Sequence, residues 1–426
     1  MESYFFVLGT NHSLSKIDII NLLVKEGIEF ETVEASEEIL VLHSAQKVEI
    51  SSLMKELGSA VKIGKIFGCF AEQNFPEEFF RLVPESEFKE FFWPKGNKDV
   101  RFGISVYNGG GGFKRLNKIW FLGPKLLRDL KEKLGESGRE ASYLPAVERR
   151  LSSVTVDKNT LLKSGFELVL VVGSKGIWVG KTLAIQPYES YSQRDYGRPL
   201  RDTKSGMIPP KLAKMMINLA GKEKEAVFLD PFCGGGTILQ ELILLGYKNI
   251  VGSDKEEKTI ENCKVNLEWL FKNYSLKKED YKLSLLKKDV KNLSEELALR
   301  SIDAIVTEPF LGSPQAKYFY PDQIKKEIAK LESLYLEAFR DFAKILKDDG
   351  VIVIIFPVFR FKNDFFYLQI LEKIFQIGFK RRNFLLKEPL GTNLLRLEIT
   401  KRGSIVYFRP GQTISREIFI LTLTRT

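Results

Sequence analysis

An apolar run at residues 226–229 delivers the chain into Asp-Pro-Phe-Cys-Gly-Gly-Gly-Thr at 230–237, and this turn constrains the fold more than any other feature. Behind it, Ile238, Leu239, Leu242, Leu244 and Leu245 follow a helical pattern. Glycines between a strand and a helix let the backbone approach a ligand closely, and the first turn of the helix offers N–H groups with no partner inside it. That is the ligand-binding corner of an open α/β sheet. Asp230, and the lack of a Lys-Ser/Thr pair closing the glycines, point away from a phosphate and toward a ligand carrying an amine. The turn is not G-x-G-x-x-G, so a dinucleotide also fits poorly.

The strands that follow sharpen this. One over residues 249–253 ends at Asp254, about 20 residues on, where a carboxylate can accept both hydroxyls of a ribose. Another around 283–286 runs into Lys288 and Asp289, placed to meet an adenine amino group, and a further one at 303–307 runs into Glu308-Pro-Phe-Leu-Gly. Taken singly, Asp254 and Asp289 suit helix caps and Cys233 suits a buried packing position. Together these strand ends share one edge of a sheet, where such folds bind their ligands.

At this point the residues resemble an S-adenosylmethionine-dependent methyltransferase acting on the exocyclic amino group of a base. Upstream, Arg194-Asp-Tyr-Gly-Arg-Pro, Arg201-Asp202 and Ser-Gly-Met-Ile-Pro-Pro-Lys-Leu-Ala at 205–213 make the chain similar to the THUMP-containing tRNA guanosine-N2 methyltransferases of archaeal type, which modify position ten of tRNA. The resemblance implies an α/β fold: a Rossmann-like methyltransferase sheet, parallel with an antiparallel C-terminal strand, preceded by ferredoxin-like and THUMP-type α+β modules. It implies S-adenosyl-L-methionine held by Asp230, Phe232, Gly234, Gly236, Thr237, Asp254, Lys255, Asp289 and Met207. It also implies catalysis by Glu308, Pro309 and Phe310. Where the family reads Asp-Pro-Pro-Tyr, this chain reads Glu-Pro-Phe-Leu at 308–311. The extra methylene displaces the carboxylate by about 1 Å unless the backbone compensates. The aromatic comes one residue early, leaving Tyr318, Phe319 or Tyr320 as other stacking platforms.

Expected boundaries are 1–79 for the ferredoxin-like module, 80–187 for the THUMP-like one, 188–212 for a linker and 213–426 for the methyltransferase sheet. In the second module, Leu126, Leu130 and Leu134 mark a helix face, and residues 101–107, 152–159, 166–172 and 177–182 read as strands. Gly180-Lys181-Thr182 mimics the end of a phosphate loop but continues a strand. A net charge of +10 favours a polyanionic partner, and the resemblance makes it tRNA or another structured RNA. Arg194, Arg198 and Arg201, beside Tyr191 and Tyr196, are candidate RNA contacts, as are Lys114 and Arg115 next to the glycine run at 109–112. Three cysteines and two histidines argue against a disulfide framework or a metal centre. No signal-like or membrane-length apolar run occurs, so a cytoplasmic location is expected. Methylation of rRNA guanine N2 or of adenine N6, or an RNA-binding protein with an inactive methyltransferase domain, remain alternatives. Oligomeric state is left open.

Overall fold

The computed structural model describes all residues except 84, 93–98, 137–139, 202–206, 314, 317–318, 409–413 and 426. Asp202, Ser205, Gly206 and Tyr318 thus lie outside the described residues. The chain divides into two units: Met1–Tyr188 with Lys387–Leu397, and Glu189–Leu386 with Glu398–Thr426.

The first unit opens with β1 (Glu2–Leu8), α1 (His12–Lys25), β2 (Phe30–Ala35), β3 (Ile39–Ser44), α2 (Ile50–Glu56) and β4 (Ala60–Phe70). After α3 (Glu77–Leu82) and α4 (Glu85–Phe92) come β5 (Asp99–Asn108), α5 (Phe113–Glu136), β6 (Glu140–Tyr143), α6 (Ser153–Lys158), β7 (Gly165–Val172) and β8 (Ile177–Ile185). Their strands form one eight-stranded sheet ordered β2-β3-β1-β4-β8-β7-β5-β6. The antiparallel β4–β8 pair joins the strands of residues 1–79 to those of 80–187. Leu126, Leu130 and Leu134 of α5 are buried in one cluster with Phe102, Ile104 and Leu168 of the sheet, as their four-residue spacing demands. Gly180, Lys181 and Thr182 lie inside β8, a strand and not a phosphate loop.

One expectation fails here. Residues 152–159, read as a strand, contain α6. Ser152 Oγ accepts the Thr155 backbone N–H at 3.0 Å, and this local cap outweighs the strand preference of Val154, Thr155 and Val156. The segment Lys387–Leu397 completes the unit. Its Leu390 carbonyl accepts Thr32 N–H at 3.0 Å, and its Leu395 carbonyl accepts the buried Lys16 ammonium at 2.7 Å.

The expected linker 188–212 holds α7 (Tyr188–Ser192) and a π-helical turn at Gln193–Gly197. In the second unit, α8 (Pro210–Ala220) starts on a proline that needs no N–H partner and stops at Gly221, whose φ of 68° no bulkier residue adopts easily. Then follow β9 (Val227–Asp230), α9 (Thr237–Leu244), β10 (Asn249–Asp254), α10 (Glu257–Asn273), β11 (Lys282–Lys287), β12 (Ile302–Thr307) and α11 (Pro321–Ile345). The last part holds β13 (Leu346–Phe361), β14 (Asp364–Tyr367), α12 (Leu371–Gln376), β15 (Phe379–Arg381), β16 (Ile405–Tyr407) and β17 (Ile414–Leu423). The sheet order is β11-β10-β9-β12-β13-β17-β15. The strands β9 to β13 pair in parallel, and β17 runs antiparallel to β13, as the resemblance implied. Being buried on both faces, β12 and β13 read as near-continuous apolar runs. The strand order reverses at β9, which has β10 on one side and β12 on the other, so the ends of these strands border a crevice.

Candidate active site

The crevice begins at Asp230, the last residue of β9, which is 2% exposed. Its carboxylate accepts the Thr307 hydroxyl at 2.7 Å and the Phe232 N–H at 3.2 Å. Burial pushes its pKa up to about 7, against the pull of those two hydrogen bonds and with help from Asp254 and Glu308. Such an acid gains much from a cation placed beside it. The turn after it depends on Gly236, at φ 83°, where a Cβ would stand 2.7 Å from Cys263 Sγ. Gly236 therefore shapes the turn from behind and does not line the crevice, a correction to its expected role as a contact.

Asp254 closes β10. One of its oxygens accepts Gly234 N–H at 3.3 Å and the other Glu256 N–H at 3.0 Å, leaving each a further lone pair. Burial raises its pKa as well. Asp289, half-buried, caps a short turn by accepting Lys291 N–H at 3.1 Å. Asp230, Phe232, Gly234, Thr237, Asp254, Lys255, Asp289 and Met207 all line one cavity of about 500 Å³, a size suited to a nucleoside-sized ligand. Among the described residues no cluster of three or more His, Cys, Asp and Glu could hold a metal ion. No described helix is long and apolar enough to cross a membrane.

Glu308, Pro309 and Phe310 line the same cavity. The Glu308 carboxylate is held by Arg416 of β17, Nε to one oxygen at 2.5 Å and Nη2 to the other at 3.3 Å. These side chains are 11% and 7% exposed. The Phe310 ring is 47% exposed, while its carbonyl accepts the hydroxyl of fully buried Tyr335 at 2.7 Å. Of the other stacking platforms, Phe319 packs against the core and Tyr320 is exposed, with its ring 5.9 Å from that of Phe361.

The candidate RNA contacts divide. Arg194 and Arg198 are buried, which corrects the expectation that they meet phosphates. The buried Glu241 carboxylate needs a counter-ion, and Arg194 supplies it at 2.5 Å while lying over the rings of Tyr191 and Tyr274. Arg198 donates to Thr237 Oγ1 at 2.8 Å, behind the glycine turn. Arg201 is exposed over the Tyr196 ring, and Lys114 is exposed in the first unit. Arg115 is half-buried and paired with Glu72. The sequence reading missed Thr307, Tyr335 and Arg416. A signal for the last was present: Ser415, Arg416 and Glu417 interrupt an apolar strand, and buried charges demand partners.

A family model described as "RMKL-like, methyltransferase domain" matches residues 198–374. A tRNA (guanine(10)-N2)-dimethyltransferase of Methanocaldococcus jannaschii is 32% identical over 202 residues, covering 47% of this chain and 52% of the relative, so this match spans about half of that protein's length. A probable tRNA (guanine(10)-N2)-dimethyltransferase of Methanothermococcus thermolithotrophicus is 33% identical over 147 residues, 34% of this chain and 77% of the relative. Among solved structures, TrmN from Thermus thermophilus superposes with a TM-score of 0.54 over 99% of this chain and all of its own, at 15% identity, a likeness of fold.

Proposed function

The chain belongs to the tRNA (guanine(10)-N2)-dimethyltransferase family, and from that premise we propose that it methylates a guanosine N2 amino group in tRNA with S-adenosyl-L-methionine. The observation that carries this reading is the convergence of an acid-lined nucleoside pocket and a carboxylate–proline–aromatic turn on one cavity.

The residues fit the cofactor. Asp230 would hold its ammonium, Asp254 its ribose hydroxyls, Asp289 its adenine amino group, and N–H groups at the start of α9 its carboxylate. Once bound, the cofactor supplies a methyl group on a positively charged sulfur, ready for in-line displacement. The guanine amino lone pair is delocalised into the ring, so the protein must orient it and receive its proton. Glu308 accepts one amino N–H, the Pro309 carbonyl accepts the other, and Phe310 stacks on the base. As positive charge develops on the amino nitrogen, the Glu308 carboxylate stabilises it and receives the proton that leaves.

The first unit would dock the RNA. Residues 1–79 and 80–187 read as ferredoxin-like and THUMP-like modules, and the net charge of +10 suits a polyanion. Lys114 in that unit, and Arg201 in the other, remain exposed cations available for phosphates.

The test is incubation of the purified protein with unmodified tRNA and S-adenosylmethionine, followed by nucleoside mass spectrometry. N2-methyl- or N2,N2-dimethylguanosine is the expected product and also decides how many methyl groups are added. N6-methyladenosine would overturn the base, and no methylated nucleoside would overturn the reaction.

A further inference from the structure

We propose that Arg416 is a positioning residue for methyl transfer, fixing the Glu308 carboxylate in the orientation from which it accepts the amino N–H. The proposal rests on the function proposed above and deepens it.

Glu308 is one methylene longer than the Asp of the family pattern and has one more rotatable bond to immobilise. An unrestrained glutamate would lose more side-chain entropy in reaching a single productive pose. Arg416 restrains it with a two-pronged grip, Nε and Nη2 on separate carboxylate oxygens. A planar guanidinium donating this way sets the plane of the carboxylate as well as its position. Each oxygen has two acceptor sites, so one on each remains for a substrate N–H.

The clamp is itself rigid. Arg416 sits within β17, in register with Pro357 of β13, and its side chain is 7% exposed. The neighbouring buried acid, Glu417, is engaged by Arg402 at 2.8 Å and Ser404 at 2.7 Å. The turn is thus fixed at two points, Glu308 by Arg416 and the Phe310 carbonyl by Tyr335. A buried ion pair contributes little net stability, because desolvation offsets the attraction. Glu308 lines the cavity and Arg416 stands behind it, a placement that orientation of the carboxylate accounts for.

The experiment compares wild type with Arg416→Met and Arg416→Lys, measuring kcat and KM for tRNA, cofactor affinity by calorimetry, and melting temperature. The Met variant is expected to lose about 100-fold in kcat, the scale of a misplacement near 1 Å. Cofactor affinity and KM should stay within about 2-fold, since neither ligand's binding surface is removed. The Lys variant, which keeps the charge but not the fork, should recover part of kcat. Wild-type kcat in the Met variant would overturn the proposal. So would parallel loss of cofactor affinity and kcat in both variants, the mark of a structural role. A wild type that methylates no tRNA overturns the function itself, and the clamp with it.

Discussion

The corner proposed to hold the cofactor and the turn proposed to act on the base sit on the same wall of strand ends but are built differently. The corner is local: Asp230, the glycines and Thr237 are contiguous, and its key contact, Gly234 N–H to Asp254, ties the turn after β9 to the end of the adjacent strand β10. The turn at Glu308 depends on Arg416, on a strand that arrives 108 residues later, and on Tyr335 from a helix. A site made of backbone is written in a short stretch of sequence. A site made of side-chain clamps is written in residues scattered along the chain.

If the contrast holds, damage to the turn costs turnover and damage to the corner costs cofactor. The largest effect should come from Glu308→Ala, which should lower kcat by about 10²–10⁴-fold, the range for losing a positioned proton acceptor, with cofactor affinity retained on calorimetry. Equal activity of the variant and wild type would break the distinction. Next, Asp230→Asn should weaken cofactor binding by about 10–100-fold, the scale of losing one charge-assisted hydrogen bond, with a smaller change in kcat under saturation. Gly236→Ala should destabilise the fold by about 1–3 kcal/mol, from its strained φ and the contact with Cys263; thermal unfolding would show it.

The smallest effect is the most specific to the corner. The Asp230 pKa of about 7 lies above that of an exposed carboxylate. Protonated Asp230 therefore stabilises the unbound fold fully below the ordinary carboxylate range, and that contribution is lost as pH rises through about 7. Binding an ammonium there favours the ionised form, so cofactor binding should release protons below pH 7 and release fewer well above it. Calorimetry in buffers of different ionisation enthalpy measures this directly, and a pH-independent value would remove Asp230 from the ammonium's surroundings.

Much of this was legible in the chain. The parallel sheet, the glycine turn and the acids at Asp254 and Asp289 follow from periodicity and strand-end spacing, which are local. Residues 152–159 misled because a single serine cap overrode the strand preference of two valines and a threonine. Arg194 and Arg198 misled because guanidiniums beside tyrosines look the same in sequence whether they face phosphates or a buried glutamate. Arg416 was invisible as Glu308's partner because nothing short-range couples the two.

The segment Lys387–Leu397 has a consequence for how such a protein can be taken apart or inherited. The chain begins in the first unit, passes to the second, returns to lay Leu390 beside Thr32, and leaves again. A cut after residue 188 leaves the first unit without the carbonyls that receive Thr32 and Lys16. The second unit, expressed from residue 189, carries Lys387–Leu397 without the Thr32 and Lys16 donors that its carbonyls accept. Recombination at a single junction cannot exchange one unit for another intact. Units joined in this way are transmitted together, so a change in what one of them recognises has to arise by substitution within it.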